Sequence, residues 1–308
     1  MQIVYDFSVM PVTFDGLVAL CGAASMGKVL STEGSAVYFV RDSYRKSTGR
    51  DLTYDDDTKK WRSTNIIIRA AGLIPNVKQI HVMDHRDINF HGASVFPKDW
   101  RSDKPIPLPY NWQFLLHLHD NGADFRLLES GGQARRYISN HLSQVKLNVS
   151  LSIRSADFNQ SRDANIQDWV ALYHHLEAIG YHCIIVPDQS VAISGAVLPF
   201  PPDRVVSSAA IDLELRLALY ESCYGNLTWT GGHSSVLWLS RSSFLNFGSL
   251  NSNNFISNEK YWRSHGISTE KNIPFFLKNQ IYDWRDAPDV TRNYLIDTSC
   301  SYLESLNV

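Results

Sequence analysis

Apolar and polar positions alternate along the first third of the chain with two different periods. Residues Gln2–Val9 and Ala36–Arg41 are dense in β-branched and aromatic side chains, which predicts two strands. Between them, Thr13–Leu30 has the apolar spacing of a helix. A helix over Thr64–Leu73 and a strand over Lys78–Asp84 repeat this order. Alternating strands and helices are typical of a parallel sheet with helices on its faces.

A middle segment and a second alternation follow. The middle segment predicts helices over Asn111–Asp120 and Gln133–Leu142, with a short strand, DFRLLES, between them. The second alternation begins with an apolar strand that ends on Arg154. It continues with a helix over residues 165–179 and a strand over Tyr181–Pro187.

The remaining residues extend the second alternation. A helix over Asp212–Cys223, a strand NLTWTG, a helix VLWLSRSSF and an amphipathic C-terminal helix are predicted. We therefore expect an α/β protein of two Rossmann-like domains, residues 1–145 and 146–308, which face each other across a cleft. The C-terminal helix is expected to pack back across either half.

Composition narrows the class of protein. The chain has 308 residues, 44% hydrophobic and 19% charged, which is typical of a globular protein. A net charge of −2 gives no basic field for nucleic acid. The four cysteines form no CxxC pair and lie in apolar runs, as small buried side chains do. Neither a signal peptide nor an apolar run of about 20 residues is present, so we expect a cytoplasmic protein.

Ligands of open α/β sheets bind beyond the carboxyl ends of the strands, so polar residues at those ends are the candidates. Asp15 follows the first strand and opens the next helix. One interpretation is a carboxylate that compensates the helix dipole, and the other is a general base. Asp6 and Asp84 also lie near strand ends and are rival bases. The run HVMDHRD over residues 81–87 resembles a metal cluster only superficially, and no metal is expected.

Arg154 ends an apolar strand, and a buried guanidinium is costly without a partner. The sequence leaves two alternatives. Either Asp157 or Asp163 pairs with it, or it binds an anionic ligand such as phosphate, with Arg162 adding a second positive charge. Asp188 also ends a strand, where it either contacts sugar hydroxyls or caps the following turn.

The segment TWTGGHSS joins a predicted strand to a predicted helix. Gly231 and Gly232 would allow a ligand to approach the backbone closely. Ser234 and Ser235 would open the helix with free N–H groups and hydroxyls, which suits a diphosphate. His233 is either a ligand contact or a turn histidine that faces solvent. No GxGxxG, Walker-type loop, HExxH or GxSxG motif occurs in the sequence.

Three segments resemble a known family. PVTFDGLVAL is similar to the first strand–helix turn of bacterial GT-B glycosyltransferases of the lipopolysaccharide heptosyltransferase type, in which an aspartate at the position of Asp15 is the catalytic base. LELRLALYESCYGNLTWTGGHSSVLWLS resembles the donor-binding segment of that family. Thr230 and Gly231 match it, whereas Trp229 replaces an aspartate and Ser234 replaces a histidine. LSIRSADFNQSRDANIQDW is similar to fucosyltransferase-like GT-B enzymes, with Arg154 at the phosphate-binding arginine.

The resemblance extends over most of the chain and implies a fold and an activity. It implies a GT-B-like, metal-independent, inverting glycosyltransferase of bacterial surface polysaccharide synthesis, without a cofactor. Asp15 and Arg154 would be catalytic, Asp15 by deprotonating the acceptor hydroxyl. The residues expected to bind the nucleotide-sugar donor are Arg154, Arg162, Asp188, Thr230, Gly231, Gly232, His233, Ser234 and Ser235.

The implied partners are the nucleotide-sugar and a glycan or lipid-linked saccharide acceptor, with peripheral association at the inner membrane and no nucleic acid. The alternative is a catalytically silent module, or partner subunit, that recognises a nucleotide or a glycan. The substitutions at Trp229 and Ser234 favour this alternative.

Overall fold

Two units make up the protein in the computed structural model, which describes residues 1–29, 34–44, 53–90, 94–101, 111–155 and 159–307. Unit 1 is Met1–Glu129 and unit 2 is Ser130–Val308. Each unit contains one sheet in which the paired strands are parallel. The expected α/β class is therefore confirmed.

Unit 1 is built on a four-stranded sheet with the order β3-β2-β1-β4. β1 and β2 are buried along nearly their whole length, as a central parallel pair requires. The elements of the sheet and its first helix are β1 (Gln2–Asp6), α1 (Gly16–Val29), β2 (Ser35–Val40), β3 (Val77–Met83) and β4 (Val95–Phe96).

The other helices of unit 1 begin at polar caps. Asp55 accepts a hydrogen bond from the Thr58 amide and starts α2 (Asp56–Arg62), which continues through a π-helical turn into α3 (Arg69–Gly72). This cap explains why the helix begins earlier than predicted. Asn111 likewise caps α4 (Trp112–Asp120). The predicted strand DFRLLES is wrong: it joins no ladder in the described sheets.

Unit 2 is built on a five-stranded sheet with the order β6-β5-β7-β8-β9. Its strands are β5 (Asn148–Ser152), β6 (His182–Val186), β7 (Gly225–Trp229), β8 (Phe244–Phe247) and β9 (Gln280–Tyr282). Its helices are α5 (Gly132–Ser139), α6 (Ile166–Ala178), α7 (Gln189–Ser194), α8 (Ser208–Ile211), α9 (Leu213–Ser222), α10 (Ser234–Trp238), α11 (Glu259–Ser264) and α12 (Arg292–Ser305).

α5 belongs to unit 2, which puts the division at Glu129–Ser130 and not near residue 145. The physical reason lies in its N-terminus, where backbone amides need partners. The Ser130 amide donates to Glu221, and the Gly131 amide donates to Glu214, both on α9. Ile138 of α5 is fully buried in the same core cluster as α8 and α9.

The C-terminal helix α12 packs against α6 of unit 2. Its side chains Leu295, Tyr302 and Leu303 lie in the core cluster on that face of the sheet. All four cysteines are free, and Cys21 and Cys183 are fully buried. Within the described ranges, every helix falls short of the length and apolar character that a bilayer crossing needs.

Candidate functional site

The strand order of unit 2 reverses between β5 and β7, which makes their carboxyl ends a topological switch point. In doubly wound sheets this is the place where a ligand binds. The residues after β5 include Arg154, and those after β7 are Thr230–Ser235. The sheet thus brings together two segments that lie far apart in the sequence.

Arg154 is buried and forms an ion pair with Asp163. Its Nη1 also donates to the Asn159 carbonyl at 3.2 Å. Of the alternatives left by the sequence, pairing with Asp163 is the one observed, and Asp157 lies outside the described residues. The arginine still lies beside the turn Thr230–Ser235, which we call the glycine turn. A Cβ added to Gly231 in this turn would be 3.7 Å from the Arg154 Cδ.

The glycine turn is closed by its own hydrogen bonds. The amides of Ser234 and Ser235 donate to the carbonyls of Gly231 and Gly232, each at 3.1 Å. The Ser234 hydroxyl donates to Asn246 Oδ1, and the Ser235 hydroxyl donates to the Gly232 carbonyl. The prediction of free N–H groups and hydroxyls here is therefore wrong, because a tight turn precedes α10 and uses them. Gly232 itself is exposed to solvent, and the Thr230 amide is bonded to the Phe247 carbonyl at 2.8 Å.

His233 is buried, so the alternative of a histidine facing solvent is wrong. Its Nε2 lies 2.9 Å from the Thr228 hydroxyl. Burial, followed by the positive charges of Arg216 and Arg154, holds the pKa of His233 well below its usual range. The imidazole is therefore neutral at pH 7.

Arg216 is a residue that the sequence analysis missed. It is buried on α9, where it donates to the Tyr220 hydroxyl at 3.1 Å and to the Ala210 carbonyl at 3.4 Å. No carboxylate among the described residues pairs with it. A buried arginine with only neutral partners leaves an uncompensated positive charge near the switch point. The signal in the sequence was an arginine within the apolar run LELRLALYE.

Two further predicted residues have structural roles. Asp188 caps α7 by accepting a hydrogen bond from the Ser190 amide at 3.3 Å, which is the capping interpretation. Arg162 contributes its carbonyl, which accepts the indole N–H of Trp229 at 2.7 Å. Trp229 is thereby fixed at the end of β7, where the resembled family has an aspartate.

A cavity of about 480 Å³ opens at the carboxyl ends of β5, β7 and β8, beside the first turns of α6 and α12. We call it the α6–α12 cavity. No residue predicted as a ligand contact lines it. Its lining includes Asp163, Asp168, Asn165, Asn251 and Asn253, together with the indoles of Trp169 and Trp229. The sequence could not reveal it because the lining comes from four separate segments, 161–169, Trp229, 251–253 and 287–295.

Unit 1 also has a switch point, between β1 and β4, and Asp15 follows β1. Asp15 is exposed immediately before α1, and it accepts a hydrogen bond from the Thr13 hydroxyl at 2.8 Å. Asp6 is buried and bound by Arg86 Nε at 2.6 Å and by the Ser8 amide and hydroxyl. Asp84 is exposed after β3. Asp6 is therefore already paired inside unit 1, whereas Asp15 is exposed to solvent.

In the part of the chain that the structure describes, no three His, Cys, Asp or Glu side chains gather closely enough to hold a metal ion. His81, in the run that resembles a metal cluster, stacks on the Tyr38 ring with centroids 4.6 Å apart.

The two parallel sheets, each with polar groups at its switch point, define an α/β protein of two Rossmann-like units. Solved structures with a similar fold are glycosyltransferases. A glycosyl transferase of family 9 from Veillonella parvula matches 99% of this chain and 97% of its own, with 10% identity and a TM-score of 0.60. The ADP-heptose lipopolysaccharide heptosyltransferase II of E. coli matches over 100% of both chains, with 11% identity and a TM-score of 0.55.

A third structure is the dodecameric iron-containing heptosyltransferase TibC in complex with ADP-D-β-D-heptose, with 12% identity and a TM-score of 0.50 over 99% of this chain and 76% of that one. No family model and no curated protein matches the sequence. The chain has the GT-B-like fold of these heptosyltransferases, and the expected fold is confirmed.

Proposed function

We propose that this protein is a glycosyltransferase that moves a sugar from a nucleotide-sugar donor to a glycan acceptor. The observation that carries the proposal is the fold similarity to family 9 glycosyltransferases over nearly the whole of both chains. Polar groups at both switch points support it, because substrates of such sheets bind there. ADP-heptose, named for two of the similar structures, is the first donor to test.

Unit 2 would bind the donor. Arg154 and Arg216 are buried near the glycine turn, and Asp163 compensates only one of these two positive charges. A diphosphate outside Gly231 and Gly232 would supply the missing negative charge. Stabilisation of charge on the departing diphosphate by fixed groups is a large contribution to catalysis. Because two guanidinium groups would supply that stabilisation, we propose that the reaction needs no metal.

Unit 1 would bind the acceptor and supply the base. Asp15 would take the proton of the acceptor hydroxyl, whose oxygen would then attack the anomeric carbon while the bond to the diphosphate breaks. Such a single displacement inverts the anomeric centre. We further propose a role in bacterial surface polysaccharide synthesis, in the cytoplasm, with peripheral association at the inner membrane where the acceptor is lipid-linked.

A second candidate function is a silent nucleotide- or glycan-binding module. The observation in its favour is the ion pair between Arg154 and Asp163, which already satisfies the arginine without a ligand. Trp229 at the position of the family's aspartate points the same way.

The test is turnover of a nucleotide-sugar panel in excess EDTA, with glycan acceptors. We expect Asp15→Asn to lower kcat at least 100-fold, within the usual range for loss of a general base. Asp57→Asn is the matched control, because Asp57 is an exposed carboxylate of unit 1 that lies on α2 and not at a strand end. Full activity of both Asp15→Asn and Arg154→Ala would refute the assignment. Thermal stabilisation by nucleotides without turnover would favour the silent module.

A further inference from the structure

The α6–α12 cavity has a lining unlike that of a phosphate site. Two carboxylates, Asp163 and Asp168, and three amides, Asn165, Asn251 and Asn253, line it. No lysine, arginine or histidine is among its described lining residues. Carboxylates repel a phosphate group, whereas they accept hydrogen bonds strongly from hydroxyls.

The other part of the lining is apolar. It consists of the aromatic residues Trp169 and Trp229 and the aliphatic residues Pro288, Val290 and Leu295. Trp169 and Trp229 are buried, and Trp229 is held by its hydrogen bond to the Arg162 carbonyl. Apolar walls with a few polar groups are typical of small-molecule sites, and about 480 Å³ lies within their usual size range.

Both carboxylates are held in place by arginines that lie outside the described lining. Arg292, the first residue of α12, bonds Asp168 Oδ1 through its Nε at 3.1 Å. Arg154 bonds Asp163 Oδ1. An ionised carboxylate has about four acceptor positions, so the bond from Arg292 leaves Asp168 acceptor capacity for a ligand.

We propose that the α6–α12 cavity binds a neutral ring that carries several hydroxyl groups, either a sugar or the ribose of a nucleoside, and does not bind the diphosphate. Its hydroxyls would donate to Asp163 and Asp168, and its apolar face would pack on the indoles. This inference rests on the proposed function for its biological meaning, since the diphosphate would then lie at the glycine turn and the ring in the cavity.

The test uses the indole N–H resonances of Trp169 and Trp229 in the full-length protein, assigned with Trp→Phe variants. Three probes are titrated: a panel of methyl glycosides, a panel of nucleosides, and inorganic pyrophosphate. We expect a methyl glycoside or a nucleoside to shift these resonances in a saturable way, and pyrophosphate to leave them in place. The panel that responds identifies the source of the ring.

Two variants test the contacts. Asp168→Asn is expected to weaken binding of the responding probe about 10-fold, and Asn253→Ala, which truncates an exposed side chain, is expected to weaken it several-fold. Glu259→Gln is the matched control, because Glu259 forms an ion pair with Arg263 on α11, away from the cavity lining. It is expected to bind like the unmodified protein.

Unchanged affinity in both cavity variants would overturn the inference, as would a response to pyrophosphate alone or to none of the probes. Failure of the proposed function gives a different result: the probes bind in the cavity, and no nucleotide-sugar is turned over. The opposite result is turnover of a nucleotide-sugar with an unchanged KM in Asp168→Asn and indole resonances that do not shift with any probe. It would refute the inference and support the proposed function.

Discussion

Burial sets the charge state of His233. The imidazole is enclosed on the α9 side of the sheet, where its Nε2 meets the Thr228 hydroxyl and where Arg216 and Arg154 are the nearby positive charges. Desolvation and both arginines disfavour the imidazolium, so the folded protein holds this side chain neutral. The unfolded chain has no such environment, and its histidines titrate near pH 6.5.

This difference predicts that acid destabilises the protein. The pKa of His233 is lowered on folding, and burial lowers the pKa of His182 in the same direction. Below about pH 6.5 the unfolded chain binds protons that the folded chain does not. Stability is therefore fully present above pH 6.5 and falls below it, by about 1.4 kcal/mol per pH unit for His233, which burial keeps neutral. His182 is only partly buried, so it adds a smaller slope. Urea unfolding between pH 7.5 and pH 5 measures this slope.

His233→Gln separates the contribution of this residue. Glutamine can still bond the Thr228 hydroxyl but does not titrate. The slope of the unfolding free energy against pH is therefore expected to fall by the equivalent of about one bound proton. His85→Gln, at an exposed position, is the matched control and is expected to keep the slope. An equal slope in His233→Gln and the unmodified protein would contradict the prediction.

For Arg154, the local sequence predicts that a partner is needed but does not predict which one. That an arginine closing an apolar strand needs a partner follows from the cost of burying charge. Which partner it finds depends on the fold of the loop after β5, where a left-handed Asn159 precedes a short 3-10 turn and directs Asp163 back to the guanidinium. The sequence alone left pairing with Asp157 or Asp163 and binding of a phosphate open as alternatives.

At the scale of elements, the turn after β8 supports the position of Trp229. Gly248 has φ +69°, and a Cβ there would stand 2.6 Å from Trp229 Cε2. The glycine is needed both for the left-handed backbone and for the contact with the indole. The indole is one wall of the α6–α12 cavity, so this turn contributes to the shape of the site.

We predict that Gly248→Ala destabilises the protein more than a comparable glycine substitution. Gly195→Ala is the control, because Gly195 has φ +68° but has nothing within 4 Å of an added Cβ. The control is expected to cost about 1–2 kcal/mol for the backbone alone. Gly248→Ala is expected to cost about 1–3 kcal/mol more because of overpacking against Trp229. Urea unfolding measures the free energy of unfolding of both variants. Equal losses of stability would show that the contact with the indole does not contribute to the cost of Gly248→Ala.

Strands with clear apolar and β-branched patterns were predicted well, as β1, β2, β5 and β6 show. The helix predicted from Val236 to Phe244 overlaps the first residue of β8, and no strand is predicted there. α10 stops at Trp238, and Phe244 already pairs with β7 and β9. An apolar run of this length suits either state, and only the neighbouring strands decide between them.

At the scale of the whole molecule, the position of the division is testable. We expect fragment 130–308 to unfold cooperatively, because it keeps α5 with its amides bound to Glu221 and Glu214. Fragment 146–308 removes α5, which leaves both carboxylates without those partners and opens the core beside Ile184 and Val186. It is expected to be less stable by several kcal/mol, or not to fold. Urea unfolding of both fragments makes the comparison, and equal stability would put the division nearer residue 145.

The sequence by itself determined the α/β class, the repeated alternation of strands and helices, and the segments that end at the carboxyl edges of the sheets. These follow from side-chain periodicity and propensity, which act over a few neighbouring residues. Only the tertiary structure decided that Asp163 pairs with Arg154 and that Arg216 lies near His233. It also decided that the amides of the glycine turn bond to carbonyls of the same turn, and that four segments enclose a cavity. These contacts depend on the order of strands in the sheet, because that order brings together residues that are distant in the sequence. Local side-chain periodicity does not predict the order.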